Sequence, residues 1–356
     1  MNYLIGFFAS ILLCTAVMPF IKKIALKIKA IDRPYEAGRQ KLHKKITARG
    51  GGMAIYISFV VICLTLLPQI DKRFIGLLLA GTIVLLVGLV DDIKRLSPWV
   101  KLIFQIIAAC VAVAFGIGIP AITNPFGQAI NLETSKWIIN IGSIGLNISV
   151  FSALFSILWL VGMTNTVNFL DGLDGLSGGV AAIAATIMFF LSIGPKVNQP
   201  VTALISIILA GACIGYLFYN FYPAKIFNGD SGAYFLGMTL GILAIFSGAK
   251  LATALLVLGL PILDAIWTVI RRILHGRSPF SADRGHLHYL LLDVGLNQRQ
   301  AVLIIYAFSI AFGSVALFAS TNQKVTAIFG LSAIAVVMIA ALGLIKFKKL
   351  KTRAKD

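Results

Sequence analysis

Val150-Phe-Ser-Ala-Leu-Phe-Ser-Ile-Leu-Trp-Leu-Val-Gly-Met-Thr-Asn165-Thr-Val-Asn168-Phe-Leu-Asp171-Gly-Leu-Asp174-Gly175 begins as an apolar run and ends in amides, carboxylates and glycines. About twenty apolar residues in a helix cross the hydrocarbon of a bilayer. A carboxylate at the end of such a run is costly and marks a working site. The same arrangement recurs at Asp91-Asp92 and at Asn228-Gly-Asp230-Ser-Gly, so five of the 13 acidic residues sit in three short clusters. Their grouping points to one polar, cation-binding site built from several helix ends.

Around these clusters the chain is oily and basic. Hydrophobic residues fill 59% of the 356 positions, charged residues 12%, and the net charge is +18; the mean hydropathy is +0.94. A soluble domain carries about twice that charged fraction. The fold class predicted is an all-α polytopic membrane protein. Eleven spans can be drawn, at about 3–21, 52–69, 74–90, 99–119, 150–168, 176–194, 201–221, 232–247, 251–270, 300–319 and 325–345. Residues 1–345 form one transmembrane catalytic domain and 346–356 a basic tail. The stretch from Met1 to Phe20 lacks the basic start and small-residue cleavage site of a signal peptide, so it reads as a retained helix. Cys14, Cys63, Cys110 and Cys213 lie in separate apolar runs and read as small buried side chains.

Eleven spans put the termini on opposite sides, and Lys and Arg set the orientation. Of the 31 basic residues, 25 fall on one side, in 22–49, 94–101, at Lys225, in 271–299 and in 346–355. The other side holds Lys72, Arg73, Lys136, Lys196, Lys250 and Lys324. The richer side is taken as cytoplasmic, with the N-terminus outside and the C-terminus cytoplasmic. All three acidic clusters then land on the cytoplasmic face, with Asp264 and Asp283. The basic excess beside helix ends reads as orientation and contact with anionic lipid, not nucleic-acid binding. The outer segment 120–149, with Pro120, Pro125, Gly127, Gly142 and Gly145, is too polar to span and is expected to form a small hairpin.

Each cluster has a chemical and a plain reading. Adjacent carboxylates such as Asp91-Asp92 repel unless a cation or a lysine neutralises them; a solvated helix end beside Lys94 and Arg95 is the plain reading. Asn165, Asn168, Asp171 and Asp174 recur every three residues, which on a continuous helix makes a slowly turning polar stripe, or else interhelical packing. Asn220 and Asp230 bracket a stretch broken by Pro223 and Gly229. Sparse oxygen ligands there suit magnesium, which takes few carboxylates and completes its shell with phosphate; an ordinary N-cap is the alternative. Arg271-Arg272, Arg277, Arg284, His286 and His288 offer a phosphate-binding surface. A zinc site would need more ligands than the His-x-His pair. Asp264 either orients an arginine or sits in a helix interface. The first loop, from Lys41 and His43 to Arg49-Gly50-Gly51-Gly52, puts glycine backbone before a helix, where an anion could rest; orientation charge explains it equally.

Together these motifs resemble the polyprenyl-phosphate N-acetylhexosamine-1-phosphate transferases. That family includes enzymes that start teichoic acid linkage units and enterobacterial common antigen, and the phospho-MurNAc-pentapeptide translocase of peptidoglycan synthesis. The resemblance covers nearly the whole chain. It rests on Asp91-Asp92 with Lys101 ten residues on, Asn165-x-x-Asn168-x-x-Asp171-Gly-x-Asp174-Gly, the stretch from Asn220 to Asp230-Ser-Gly, and Ser278-Pro279-Phe280-x-x-Asp283-Arg284-x-His286-x-His288. Ala48 departs from it, standing where the family usually has Pro.

The resemblance implies that undecaprenyl phosphate attacks the β-phosphate of a UDP-sugar, giving a polyprenyl-pyrophosphoryl-sugar and UMP, with Mg2+ required and Mn2+ as a substitute. It implies Asp230 and Asn168 as metal ligands, and Asp91, Asp92, Asp171 and His286 as catalytic residues. Lys101, Asp174, Asn220, Arg272, Arg284 and His288 are the implied substrate-binding residues. Asp91 would position or deprotonate the lipid phosphate held by Lys101; in a covalent alternative Asp92 is the nucleophile. The His-x-His loop is similar to that of the N-acetylglucosamine enzymes, so UDP-GlcNAc is the expected donor. The pentapeptide translocase, usually with three consecutive histidines, is the alternative. The resemblance further implies a bacterial plasma-membrane protein at the start of a cell-wall glycopolymer such as teichoic acid, with a homodimer left open. A cation-coupled transporter, the reading from another class, would hold its acids near the bilayer midplane, whereas these gather at one face.

Overall fold

The computed structural model describes residues 2–36, 39–40, 45–122, 124, 128–134, 136–141, 144–195, 197–247, 251–276, 278 and 285–353. Arg284, with Arg277, Pro279, Phe280 and Asp283, and Lys41, His43 and Lys44 of the first loop, lie outside the described residues. The helices are α1 (Tyr3–Lys27), α2 (Gly51–Leu66), α3 (Lys72–Lys94), α4 (Pro98–Ala114), α5 (Val150–Leu170), α6 (Leu176–Ile193), α7 (Pro200–Asn220), α8 (Gly229–Phe246), α9 (Leu251–Val257), α10 (Gly259–Leu274), α11 (Leu287–Asp293), α12 (Gln298–Phe318) and α13 (Thr321–Arg353). Among the described residues, α1, α3, α5, α6, α7, α8, α12 and most of α13 are long and apolar enough to cross a membrane. The protein is a mostly helical, multi-pass membrane protein.

Helix α8 is the axis of the bundle. All of its residues but Asp230 are buried, and α2, α3 and α5 pack around it. Small residues make that approach possible. A Cβ on Gly52 of α2 would fall onto the backbone of Gly232 in α8, and one on Gly237 would sit 2.6 Å from the Met163 carbonyl of α5. On α1 the buried residues Gly6, Ser10, Cys14 and Met18 repeat every four positions, a stripe that rides on Gly211 and Gly215 of α7. The other faces of α1, with Leu4, Phe8 and Leu12 exposed, present the kind of continuous apolar surface that a bilayer, not water, solvates.

The structure departs from the expected spans in two places. The ninth is broken at Leu258 into α9 and α10. Pro261 falls in the first turn of α10, where a missing N–H costs least. The fourth helix stops at Ala114, and Gly116 takes φ +84. The outer segment 120–149, expected as a small hairpin, carries antiparallel β pairs among its described residues. Lys136–Ile141 pairs antiparallel with Ile144–Ser149, and Ala121–Ile122 with Ile130–Asn131. With the short pairs Ile31–Asp32 with Thr47–Ala48 and Tyr35–Glu36 with Arg39–Gln40, these small sheets amend the all-α expectation.

Candidate active site

The C-terminal ends of α3, α5, α7 and α10 meet the N-terminal ends of α2, α4, α6, α8 and α11 at one end of the bundle. Ser97 caps α4, so Lys101, one turn inside, reaches back to α3. Its Nζ donates to Asp91 Oδ2 at 3.1 Å and to Asp230 Oδ2 at 3.2 Å. Asp91 Oδ1 accepts from the Leu96 amide at 2.6 Å. Asp230 Oδ2 also accepts from the Tyr234 hydroxyl at 3.1 Å, one turn along α8. Two carboxylates from separate helices thus share one ammonium, and Asp230 also sits where the first turn of α8 favours an anion.

Asp92 faces elsewhere. Its oxygens accept from the amides of Asp230 and Ser231 at 3.0 and 3.2 Å and from the Ser231 hydroxyl at 2.9 Å. Arg49 Nη1 lies 3.6 Å away, and Arg49 Nη2 donates to Asp32 at 2.8 Å. The Asp92 side chain is 0% exposed. It acts as the cap of α8, supplied from α3. Of the two readings of Gly50-Gly51-Gly52, the anion cradle is not supported at two of its amides: Gly51 N donates to Phe227 O at 2.9 Å and Gly52 N to Asn228 O at 3.2 Å. These amides hold the α7–α8 connection instead. Arg49, read from the sequence only as part of the basic first loop, is brought into the site by its contacts with Asp32 and Asp92.

The polar stripe of α5 is cut short. The helix ends at Leu170, so Asn165 and Asn168 are helical while Asp171 and Asp174 lie on the turn to α6. Asn165 donates to Gln105 of α4 at 2.7 Å. Asn168 is half-buried one turn from the polar end. Asp171 accepts from the Ser177 hydroxyl at 2.5 Å. Burial pushes its carboxyl up to about 7, while the Ser177 bond pulls the other way. Asp174 accepts from the Ala224 amide at 2.9 Å. Asn220 accepts from Gly175 N at 2.8 Å and donates to Ile226 O at 2.9 Å. Both ends of its amide therefore staple two loops together.

The histidines form the second half. His286 Nδ1 is 2.9 Å from Asp264 Oδ2 and 3.3 Å from the Thr268 hydroxyl, and Asp264 Oδ1 accepts from Leu287 N at 2.8 Å. Asp264 therefore grips a histidine, not an arginine. The His286 ring lies 5.4 Å from Phe169 and stacks within 5° of parallel on His288. The Arg272 guanidinium lies 5.6 Å over the same Phe169 ring, a cation–π contact. His288 is buried against Gly172, and its Nε2 makes no hydrogen bond among the described residues. Burial pushes its imidazole down to about 3, against the pull of Asp264. The end of α5 at Phe169 and the turn that follows to Gly175 thus join the carboxylate–lysine half to the histidine–arginine half.

Among the described residues no three Asp, Glu, His or Cys side chains are grouped to hold a metal unaided. Asp91 and Asp230 nevertheless meet at a single cationic nitrogen. Two hard oxygen donors fit an ion such as Mg2+, which relies on substrate phosphates and water for the rest of its shell.

Fold and site define a multi-pass membrane protein whose polar end is furnished for a phosphorylated substrate. The family model described as Glycosyl transferase family 4 matches residues 74–248. The chain is 33% identical over 321 residues to a Bacillus subtilis protein named "Probable undecaprenyl-phosphate N-acetylglucosaminyl 1-phosphate transferase", covering 88% of this chain and 84% of that one. It is 31% identical to a decaprenyl-phosphate N-acetylglucosaminephosphotransferase of Mycolicibacterium smegmatis, over 96% of this chain and 88% of the relative. It is 32% identical to a phospho-N-acetylmuramoyl-pentapeptide-transferase of Endomicrobium trichonymphae, over 89% and 91%. The chain belongs to glycosyl transferase family 4, the family of these polyprenyl-phosphate sugar-1-phosphate transferases.

Proposed function

We propose that this protein transfers GlcNAc-1-phosphate from UDP-GlcNAc to undecaprenyl phosphate, giving undecaprenyl-pyrophosphoryl-GlcNAc and UMP. The observation that carries the reading is the meeting of Asp91, Lys101 and Asp230 at the polar end of the bundle. The name and 33% identity of the Bacillus subtilis relative support the choice of sugar and lipid. Lys101 holds the lipid phosphate and Asp91 positions it. A phosphate oxygen attacks the β-phosphorus of the nucleotide. The bond from that phosphorus to the bridging oxygen breaks, and UMP leaves with the electron pair. Preplaced cations lower the barrier because charge spreads over the phosphoryl oxygens. Asp230 and Asn168, with Asp91 beside them, would hold Mg2+ or Mn2+, which when bound stabilises diphosphate charge. The direct route is favoured over a covalent one because the Asp92 oxygens are occupied by α8 and Arg49.

Counting α2, α4 and the α9–α10 pair beside the eight long helices makes eleven crossings. The excess of Lys and Arg puts the N-terminus outside and the polar end at the cytoplasmic face of a bacterial plasma membrane. Phospho-MurNAc-pentapeptide transfer is the second reading, favoured by the Endomicrobium relative. Purified protein with Mg2+ and undecaprenyl phosphate, given UDP-GlcNAc or UDP-MurNAc-pentapeptide in parallel, decides between them. UMP release with UDP-GlcNAc is expected. Release only with the pentapeptide donor selects the second reading, and release with neither refutes both.

A further inference from the structure

We propose that Asp264 is a positioning residue for the transfer, fixing which imidazole nitrogen of His286 faces the substrate diphosphate. The proposal rests on the transfer proposed above and takes His286, part of the phosphate-binding surface read from the sequence, as the residue that meets the sugar-nucleotide phosphates. Helix α10 carries Asp264, Thr268 and Arg272 at intervals of four, and all three are buried, at 7%, 0% and 4% exposure. They form one polar stripe on an otherwise apolar buried face. A carboxylate so placed is tolerated only when its oxygens are satisfied. Asp264 uses both, one on the Leu287 amide at 2.8 Å and one on His286 Nδ1 at 2.9 Å.

The tautomer follows from that arrangement. An ionised carboxylate only accepts, so Nδ1 is the nitrogen that carries hydrogen. Nε2 is left as the working nitrogen, the usual consequence of a carboxylate behind a histidine. Two aromatic rings pack beside the imidazole. Phe169 lies 5.4 Å off and His288 is stacked nearly parallel at 5.6 Å. The Leu287 bond also ties Asp264 to the first turn of α11, so the short helix and the histidine are seated by one side chain. Arg272, at the end of the same stripe, meets this assembly through the shared Phe169 ring.

The test uses the full-length purified protein, UMP release and thermal unfolding. Asp264→Asn can present its amide N–H to Nδ1 and so reverse the tautomer, as at other Asp–His pairs. Its kcat is expected to fall about 100-fold, with the KM for UDP-GlcNAc little changed. In a His286→Gln background the same substitution should cost no further rate, because the group it positions is gone. A residue acting only through stability would instead give independent, multiplying losses. Wild-type kcat in Asp264→Asn, or multiplying losses in the double variant, overturns the proposal. If His286→Gln alone leaves the rate unchanged, the assignment of His286 to the diphosphate fails instead. Should Asp264→Asn not fold, Asp264→Glu keeps the charge but displaces the ring. A folded Glu variant with much reduced kcat supports the proposal, and one with wild-type kcat overturns it.

Discussion

Lys101→Met tests the charge arrangement at its centre. Methionine nearly matches the lysine stem but removes the ammonium that lies 3.1 Å from Asp91 and 3.2 Å from Asp230. At an effective dielectric of about 20, each contact is worth about 5 kcal/mol before desolvation is counted. The Lys101 side chain is 23% exposed and that of Asp230 22%, so water screens part of this attraction. Breaking a fully buried pair costs roughly 3–5 kcal/mol; for this half-wet site a loss of about 2–3 kcal/mol is expected. One of the two carboxylates should then take up a proton, which removes both the phosphate anchor and the ordered acid. If the same energy is missing in the transition state, kcat/KM falls about 30- to 150-fold, since 1.4 kcal/mol is tenfold. UMP release and thermal unfolding in detergent measure both effects. Lys101→Met with wild-type kcat/KM would refute the reasoning, whatever its stability.

Asp92→Asn should lower the unfolding temperature, because it weakens the cap on α8 by about 1–2 kcal/mol; unchanged stability with turnover abolished would instead put Asp92 in the chemistry. Gly52→Ala should destabilise by about 1–3 kcal/mol or prevent folding, since its methyl lands on the Gly232 backbone. Gly162→Ala, with open space around it, should be neutral or stabilising by up to about 1 kcal/mol. A pair of variants with equal melting temperatures would contradict that packing account. His288 is held neutral down to about 3 in the folded protein, below the ordinary value of about 6.5. Its contribution to stability is therefore complete above about pH 6.5 and lost as pH falls toward 3. The unfolding temperature of His288→Asn should depend less on pH across that window, and identical slopes would count against the burial argument.

The long helices were legible because their length and apolarity report bilayer thickness directly. The break at Leu258 was not, since Gly259 and Pro261 are tolerated inside membrane helices and mark no end on their own. Asp91 and Asp92 show a limit of a different kind. Neighbours in sequence suggested a shared ion, but successive helical residues point about 100° apart. One carboxylate therefore meets Lys101 and the other caps α8. The stripe from Asn165 to Asp174 was readable as polar, yet its last two members belong to a turn, because only Gly172 and Gly175 signal where α5 stops. Asp264 and His286 are 22 residues apart across a loop, so no spacing rule joins them; the interval of four from Asp264 to Thr268 and Arg272 was the trace that helix periodicity left.

The central claim, that helix ends gather oxygen donors and a lysine into one phosphate-transfer site, is tested most directly by UMP release from Asp230→Asn. With UDP-GlcNAc, undecaprenyl phosphate and Mg2+ supplied, the account predicts a folded variant that has lost about 100-fold or more of its turnover. Turnover at the wild-type rate by that variant would contradict it.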